Sequence, residues 1–343
     1  MMTNMKVVAI YSKRNPVFDV MKGIGIILML IGYIATISKG FRTFIFSFHM
    51  PLFFILAGYF CKPAEDRSEL KSKIKKDARR LLLPFVSTQL LLIAWTFVQY
   101  LFKDNPNMLI RAALSLLYGG NYETMTKWGG IEVDALWFLP ALFMAKTIFN
   151  ILLYKKPSTL FLLTSCIALS ILATVCNRFI QVPWNILQGL SVLVFVNLGF
   201  LVHNPPRINQ LWIIILSLCG WGLAIHFANM DLNYCYYSCY PLNVIGAVGG
   251  TYTVYLISKL LCKCRLLAWP FIWCGTYSLV ILCFHALERT SGFAYSLEIH
   301  SPFSLSGNSM IVFRYLLVLV ITAIVIHIPK IKEIYGVKTS KAQ

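Results

Sequence analysis

The stretch SFHMPLFFILAGYF, Ser47 to Phe60, is apolar nearly throughout except for one imidazole, and His49 stands two residues before Pro51. Imidazole titrates near pH 6.5 when unperturbed, which makes it the usual general base at neutral pH. A histidine held in an apolar helix is therefore either a proton acceptor or the hydrogen-bonding cap of a local defect. Pro51 supplies such a defect. It has no amide proton, so within a helix the carbonyl of Ser47 loses its partner and the chain bends there. Both readings of His49 stand on the sequence alone. Lys22 and Tyr33 are eleven residues apart; eleven steps of about 100° return almost to the starting angle, and eleven rises separate them by about 16 Å. A cation and a phenol on one helix face can line one channel at two depths, with Asp19 one turn before Lys22.

Further polar groups recur at the level of Tyr33 and His49. Glu132, Asp134 and Trp137 occur in EVDALWFLPALF, where Pro140 repeats the pattern of Pro51 and frees the carbonyl of Leu136. Asn185 and Gln188 open a later apolar run, His285 closes GTYSLVILCFHAL, and Arg314 lies early in the last one. Singly, Glu132, Asp134 and Arg314 read as interfacial residues, since charge is cheap at that depth. Their convergence is the informative feature. His226 has no polar company, and His203, His300 and His327 are assigned no role.

The elements that must position these residues are set by composition. The chain has 343 residues, 58% hydrophobic and 13% charged, and a mean hydropathy of +0.70, which excludes a water-soluble globule of this size. Apolar runs of about 20 residues, the length that crosses a bilayer as a helix, recur throughout. They predict spans at 17–37, 44–60, 81–102, 135–154, 159–176, 184–202, 210–228, 241–261, 270–287 and 310–328. The expected fold is all-α: a polytopic membrane bundle of about ten helices, one domain over 1–343 with short tails at about 1–16 and 329–343.

The net charge of +18 does not indicate a nucleic-acid partner, because of where the charge sits. With the amino terminus in the cytoplasm, and with Lys259 and Arg314, near the ends of their runs, counted with the adjoining segments, 21 of the 31 Lys and Arg fall on the cytoplasmic side and 8 on the outer side, leaving Lys22 and Lys146 within spans. The positive-inside rule then predicts a multi-pass protein of the inner (plasma) membrane with both termini cytoplasmic. The run CKPAEDRSELKSKIKKDARR reads as a short amphipathic helix on the inner leaflet, either a solvated retention signal meeting anionic lipid or a grip on a phosphate-bearing ligand. Ten cysteines are scattered, five of them inside the apolar runs and three more just past their ends, where thiols behave as small hydrophobes. Cys235 and Cys239 in NMDLNYCYYSCY could pair in an oxidising compartment without having to. No spacing suits zinc, and no metal is expected.

The segments FDVMKGIGIILMLIGY, SFHMPLFFILAGYF, RRLLLPF, LWFLPALF, NLGF and GTYSLVILCFHA, in that order, resemble the integral-membrane acyltransferases of the acyltransferase-three family. The resemblance runs from about Asp19 to the last span. It implies O-acylation, typically O-acetylation, of a cell-surface polysaccharide or its lipid-linked precursor, with acetyl-coenzyme A as donor substrate and association with glycan-assembly machinery. Position by position, Lys22 matches the family's basic residue on the first helix, His49 its second-helix histidine, Arg79 and Arg80 its basic pair, Trp137 its WFL tryptophan and His285 its late-helix histidine. The position of the family's first-helix histidine holds Tyr33.

The chemistry so implied needs a base for the sugar hydroxyl and a hydrogen-bond donor for the developing oxyanion. Tyrosine, with a pKa of about 10, is a poor base, so His49 is expected to be the base and Tyr33 or Trp137 the donor, with His285 at the same depth. Lys22, Asp19, Arg79 and Arg80 are expected to meet the acyl donor, Lys22 through coenzyme A phosphates. The alternative is a non-catalytic relative that moves or senses an acyl or glycan ligand. A transporter should show repeat symmetry and a sensor a soluble signalling domain; neither is evident.

Overall fold

The computed structural model describes residues 15–34, 37–103, 106–119, 134–203, 210–291 and 308–336. The chain is a helical bundle with one two-stranded hairpin among these residues. Helix α1 spans Pro16–Gly32 and α2 Lys39–Phe46; α3 (His49–Tyr59) returns beside α1. Helix α4 covers Arg67–Lys103, α5 Pro106–Tyr118, α6 Phe138–Tyr154 and α7 Thr159–Cys176. Two short helices, α8 (Ile186–Ser191) and α9 (Leu193–Leu201), precede α10 (Gln210–Phe227). The strands β1 (Met230–Asp231) and β2 (Tyr236–Tyr237) pair antiparallel, Met230 opposite Tyr237. Then follow α11 (Tyr240–Leu261), α12 (Arg265–Thr276), α13 (Ser278–Ser291), α14 (Asn308–Val325) and α15 (Pro329–Ile334).

Six of these helices are long and apolar enough to cross a membrane, and eight spans result if each of two bent pairs counts as one. The expected count of ten is not confirmed. The other two expected spans, the first and the last, fall on α1, of 17 residues, and α14, of 18 residues. Expected span 184–202 is broken by a 49° bend between α8 and α9, and span 270–287 by a 65° bend between α12 and α13. The second break follows from Tyr277, whose backbone is not helical (φ −104°, ψ 15°), and it redirects α13 toward the far end of α1.

Close crossings hold the centre. A Cβ on Gly23 would strike the Phe271 backbone, and one on Gly275 the Asp19 carbonyl, so α1 and α12 meet backbone to backbone. Gly58 and Gly199 do the same for α3 and α9 against Val196 and Ile55. Such contacts let dispersion act at short range where lipid offers no hydrophobic drive.

Three local expectations need correction. The basic run before the third span is not a separate interfacial helix: from Arg67 it is the first turns of the 37-residue α4, continuous with the span. Pro51 and Pro140 do not kink helices from within. Each is the third residue of a new helix, α3 and α6, where an amide proton has no partner to lose. The chain does break beside His49, but at Phe48 (φ −147°). Finally, α15 packs back on α4, with the Tyr335 hydroxyl 3.2 Å from Thr88 Oγ1. Gly336 lies beside Arg80, so both ends of the described chain are at the end of the bundle where α1 begins.

Candidate functional site

His49 owes its position to the break. The amide of Phe48 reaches the Ile45 carbonyl at 3.3 Å, and His49 Nδ1 lies 2.8 Å from the same oxygen. A carbonyl only accepts, so Nδ1 carries the proton and Nε2 keeps the lone pair. The cap and the base are thus two nitrogens of one ring. Trp221 Nε1 donates to Ser47 Oγ at 2.9 Å, and that hydroxyl donates to the Phe44 carbonyl at 2.7 Å, bracing the break.

His49, Tyr33 and Trp137 line one cavity of about 540 Å³ at the end of the bundle where α1 finishes. Three elements far apart in sequence supply them: the start of α3, the C-cap of α1, and the 3-10 turn Asp134–Trp137 that leads into α6. Trp137 is 2% exposed, and its indole Nε1 has no hydrogen-bond partner among the described residues. The β-hairpin roofs this cavity through Asn229, Asp231 and Asn233. Gln188 serves the roof rather than the cavity, donating to the Asn233 carbonyl at 3.1 Å. Asn185 instead donates to the Gly119 carbonyl at 3.1 Å. Glu132 lies outside the described residues, as does the side chain of Asp134. Cys235 and Cys239, on this hairpin, are both free thiols.

His285 does not line that cavity. It lines an adjoining one of about 360 Å³ with Arg289, Arg314 and Tyr315, and Tyr33 and Arg289 border both. The His285 ring is 5.6 Å from that of Tyr33, and neither of its nitrogens has a partner among the described residues. Arg314 is held by Glu288 through two contacts of 2.8 and 3.2 Å. Arg289 donates to the Tyr33 carbonyl at 2.7 Å and lies 4.9 Å over its ring.

At the opposite end, where α1 begins, a cavity of about 440 Å³ is lined by Lys22, Lys62, Lys73, Lys76, Arg80 and Lys146. Asp77 is the one carboxylate among its described lining residues and pairs with Lys146 at 2.5 Å. Asp19 sits behind Lys22, 4% exposed, and holds the ammonium at 2.5 Å. Arg79 is exposed and does not line the cavity, because successive helix residues point about 100° apart. Met50 lines both this cavity and the one that holds His49.

Sequence reasoning missed Lys62, Lys73 and Lys76 as lining residues, and Lys39, Arg42, Asp231 and Arg289 altogether. Only the basic run, read as a possible phosphate grip, pointed toward the first group. Burial pushes the Asp231 carboxyl up from 3.8 to about 6, against the amides of Asn233 and Tyr234 and the charge of Arg42. The folded chain therefore holds this proton more tightly than the unfolded chain, and stability falls as pH rises through about 4 to 6. Thermal unfolding at pH 4.5 and 7.5 is expected to show a loss of stability at the higher pH that Asp231→Asn reduces. An unchanged difference would mean that Asp231 titrates as an ordinary surface carboxylate.

No curated protein and no solved structure matches the chain significantly. A family model described as an acyltransferase domain matches residues 15–328. That match covers every helix that lines the three cavities, leaving only α15 outside it, and on it the chain belongs to the acyltransferase-three family.

Proposed function

We propose that the protein transfers an acetyl or similar short acyl group from acyl-coenzyme A to a carbohydrate hydroxyl of a cell-surface glycan or its lipid-linked precursor. The observation that carries this reading is the pair of cavities, entered from opposite ends of the bundle and meeting at Met50, next to His49. A two-substrate transfer across a membrane needs that layout. The lysine-rich end suits the phosphates of coenzyme A, by charge-assisted contacts from Lys22 and Arg80. Asp19 positions Lys22. The positive-inside bias supports a cytoplasmic position for this end and for both termini.

In the proposed chemistry, His49 Nε2 takes the proton of the acceptor hydroxyl as its oxygen attacks the thioester carbonyl. The tetrahedral oxyanion receives a hydrogen bond from Trp137 Nε1, a donor already buried and unspent. Collapse expels the coenzyme A thiolate, which takes the proton back from the imidazolium. Tyr33, across the cavity, offers a hydroxyl for orientation.

Acyl transfer from acetyl-coenzyme A to the native glycan in membranes tests the reading, together with the ester content of surface glycan in cells with and without the gene. Tyr33→Phe is expected to cost two- to tenfold, a neutral hydrogen bond's share, and Tyr33→His to match or exceed the wild type. A wild type that transfers nothing, with activity appearing only in Tyr33→His, would instead make this chain a relative that lost catalysis at Tyr33.

A further inference from the structure

Two cations stand on α2 where local stability disfavours them. Lys39 and Arg42 occupy the first turn and the residue after it, and that turn carries no acidic residue. A helix N-terminus is already the positive end of the macrodipole, so cations there are unfavourable, and a local rule broken in this way points to function. Both line the cavity of His49, and neither has an ion pair among the described residues. Arg42 flanks the Phe46 ring at 6.0 Å, and its charge acts on Asp231 without a direct ion pair. Arg289 reaches the same cavity from α13.

Two further donors face this region. Trp137 presents an unpartnered N–H while 2% exposed, and His285, 1% exposed and unpartnered at both nitrogens, borders the adjoining cavity. Among the described lining residues of both cavities the only carboxylate is Asp231. It lies in reach of the Arg42 charge, which offsets part of its repulsion of an incoming anion.

We propose that the acceptor is an anionic glycan, whose carboxylate or phosphate sits between Lys39, Arg42 and Arg289 and so delivers a neighbouring hydroxyl to His49. The proposal rests on the reading of this cavity as the acceptor's site. An acidic sugar and the diphosphate of a lipid carrier share the required chemistry.

The test is binding to the full chain in phosphatidylcholine nanodiscs, without acyl donor and with the lysine-rich cavity saturated by coenzyme A. Calorimetric titration compares a glucuronic-acid-containing hexasaccharide, its carboxyl-reduced counterpart and inorganic pyrophosphate. Either anion is expected to bind at least about tenfold tighter than the reduced sugar, and the Lys39→Gln/Arg42→Gln double variant to lose that advantage. Whichever anion loses affinity in the double variant identifies the source, carboxylate or carrier phosphate. Both substitutions are on exposed residues, so folding should survive, and matched thermal midpoints check this. Equal binding of the acidic and reduced sugars with pyrophosphate indifferent to the double variant overturns the proposal. So does an anion preference that survives the double variant, or no binding of either anion. Because no transfer is measured, a chain that binds acidic sugar but transfers nothing refutes the transferase reading alone.

Discussion

His49→Ala is expected to lower acyl transfer by about 10²–10⁴-fold, the share of a general base, while coenzyme A binding stays close to that of the wild type. Alanine alone does not separate the base from the cap, because it removes both nitrogens. His49→Asn separates them. An asparagine amide can still donate to the Ile45 carbonyl, which His49 Nδ1 now caps at 2.8 Å, but it offers no basic nitrogen at the position of Nε2. The expected pattern is an Asn variant as inactive as the Ala variant, with a thermal midpoint near that of the wild type. Transfer that persists in His49→Asn would leave His49 as the cap of the break between α2 and α3 and return the base role to Tyr33.

The second large effect is expected at the other end of the bundle. Lys22→Ala should weaken coenzyme A binding by roughly ten- to a hundred-and-fifty-fold, the value of about 1.5–3 kcal/mol for a charge-assisted contact. Removing the ammonium also strands the Asp19 carboxylate, which is 4% exposed and paired with Lys22 at 2.5 Å. An unpaired buried charge is costly, so a loss of affinity could arise from local collapse. The double variant Asp19→Asn/Lys22→Ala removes that charge and should bind coenzyme A as weakly as the single variant while regaining its stability. Arg80→Gln should weaken the donor and Arg79→Gln should not, since only Arg80 lines the cavity. Calorimetric titration with coenzyme A measures all four. Wild-type affinity in Lys22→Ala would remove the donor from this cavity.

Bend and pairing account for most of what sequence reading placed wrongly. His285 was expected beside His49, and its ring lies 5.6 Å from that of Tyr33 in the neighbouring cavity instead. The 65° bend before α13 turns the ring into the adjoining cavity, and nothing in GTYSLVILCFHAL encodes that angle. The prolines marked the breaks near His49 and Trp137 correctly, yet a missing amide proton suits the first turn of a helix as well as a kink, and only the neighbouring backbone tells which occurs.

The sequence by itself determined the class and the spacing along each helix. Apolar runs set the all-α membrane bundle through bilayer thickness, the family motifs set the acyltransferase, and the eleven-residue interval set Lys22 and Tyr33 about 16 Å apart along one helix. These are local or periodic properties, fixed by rise and rotation per residue. Tertiary structure alone decided which groups face one another: Lys146 with Asp77 across 69 residues, Arg289 with Tyr33 across 256, and the hairpin at Asp231 over His49 and Trp137. Such pairings depend on the rotation and crossing of helices, here set where glycines let backbones touch. A single helix's periodicity carries no information about its neighbour's.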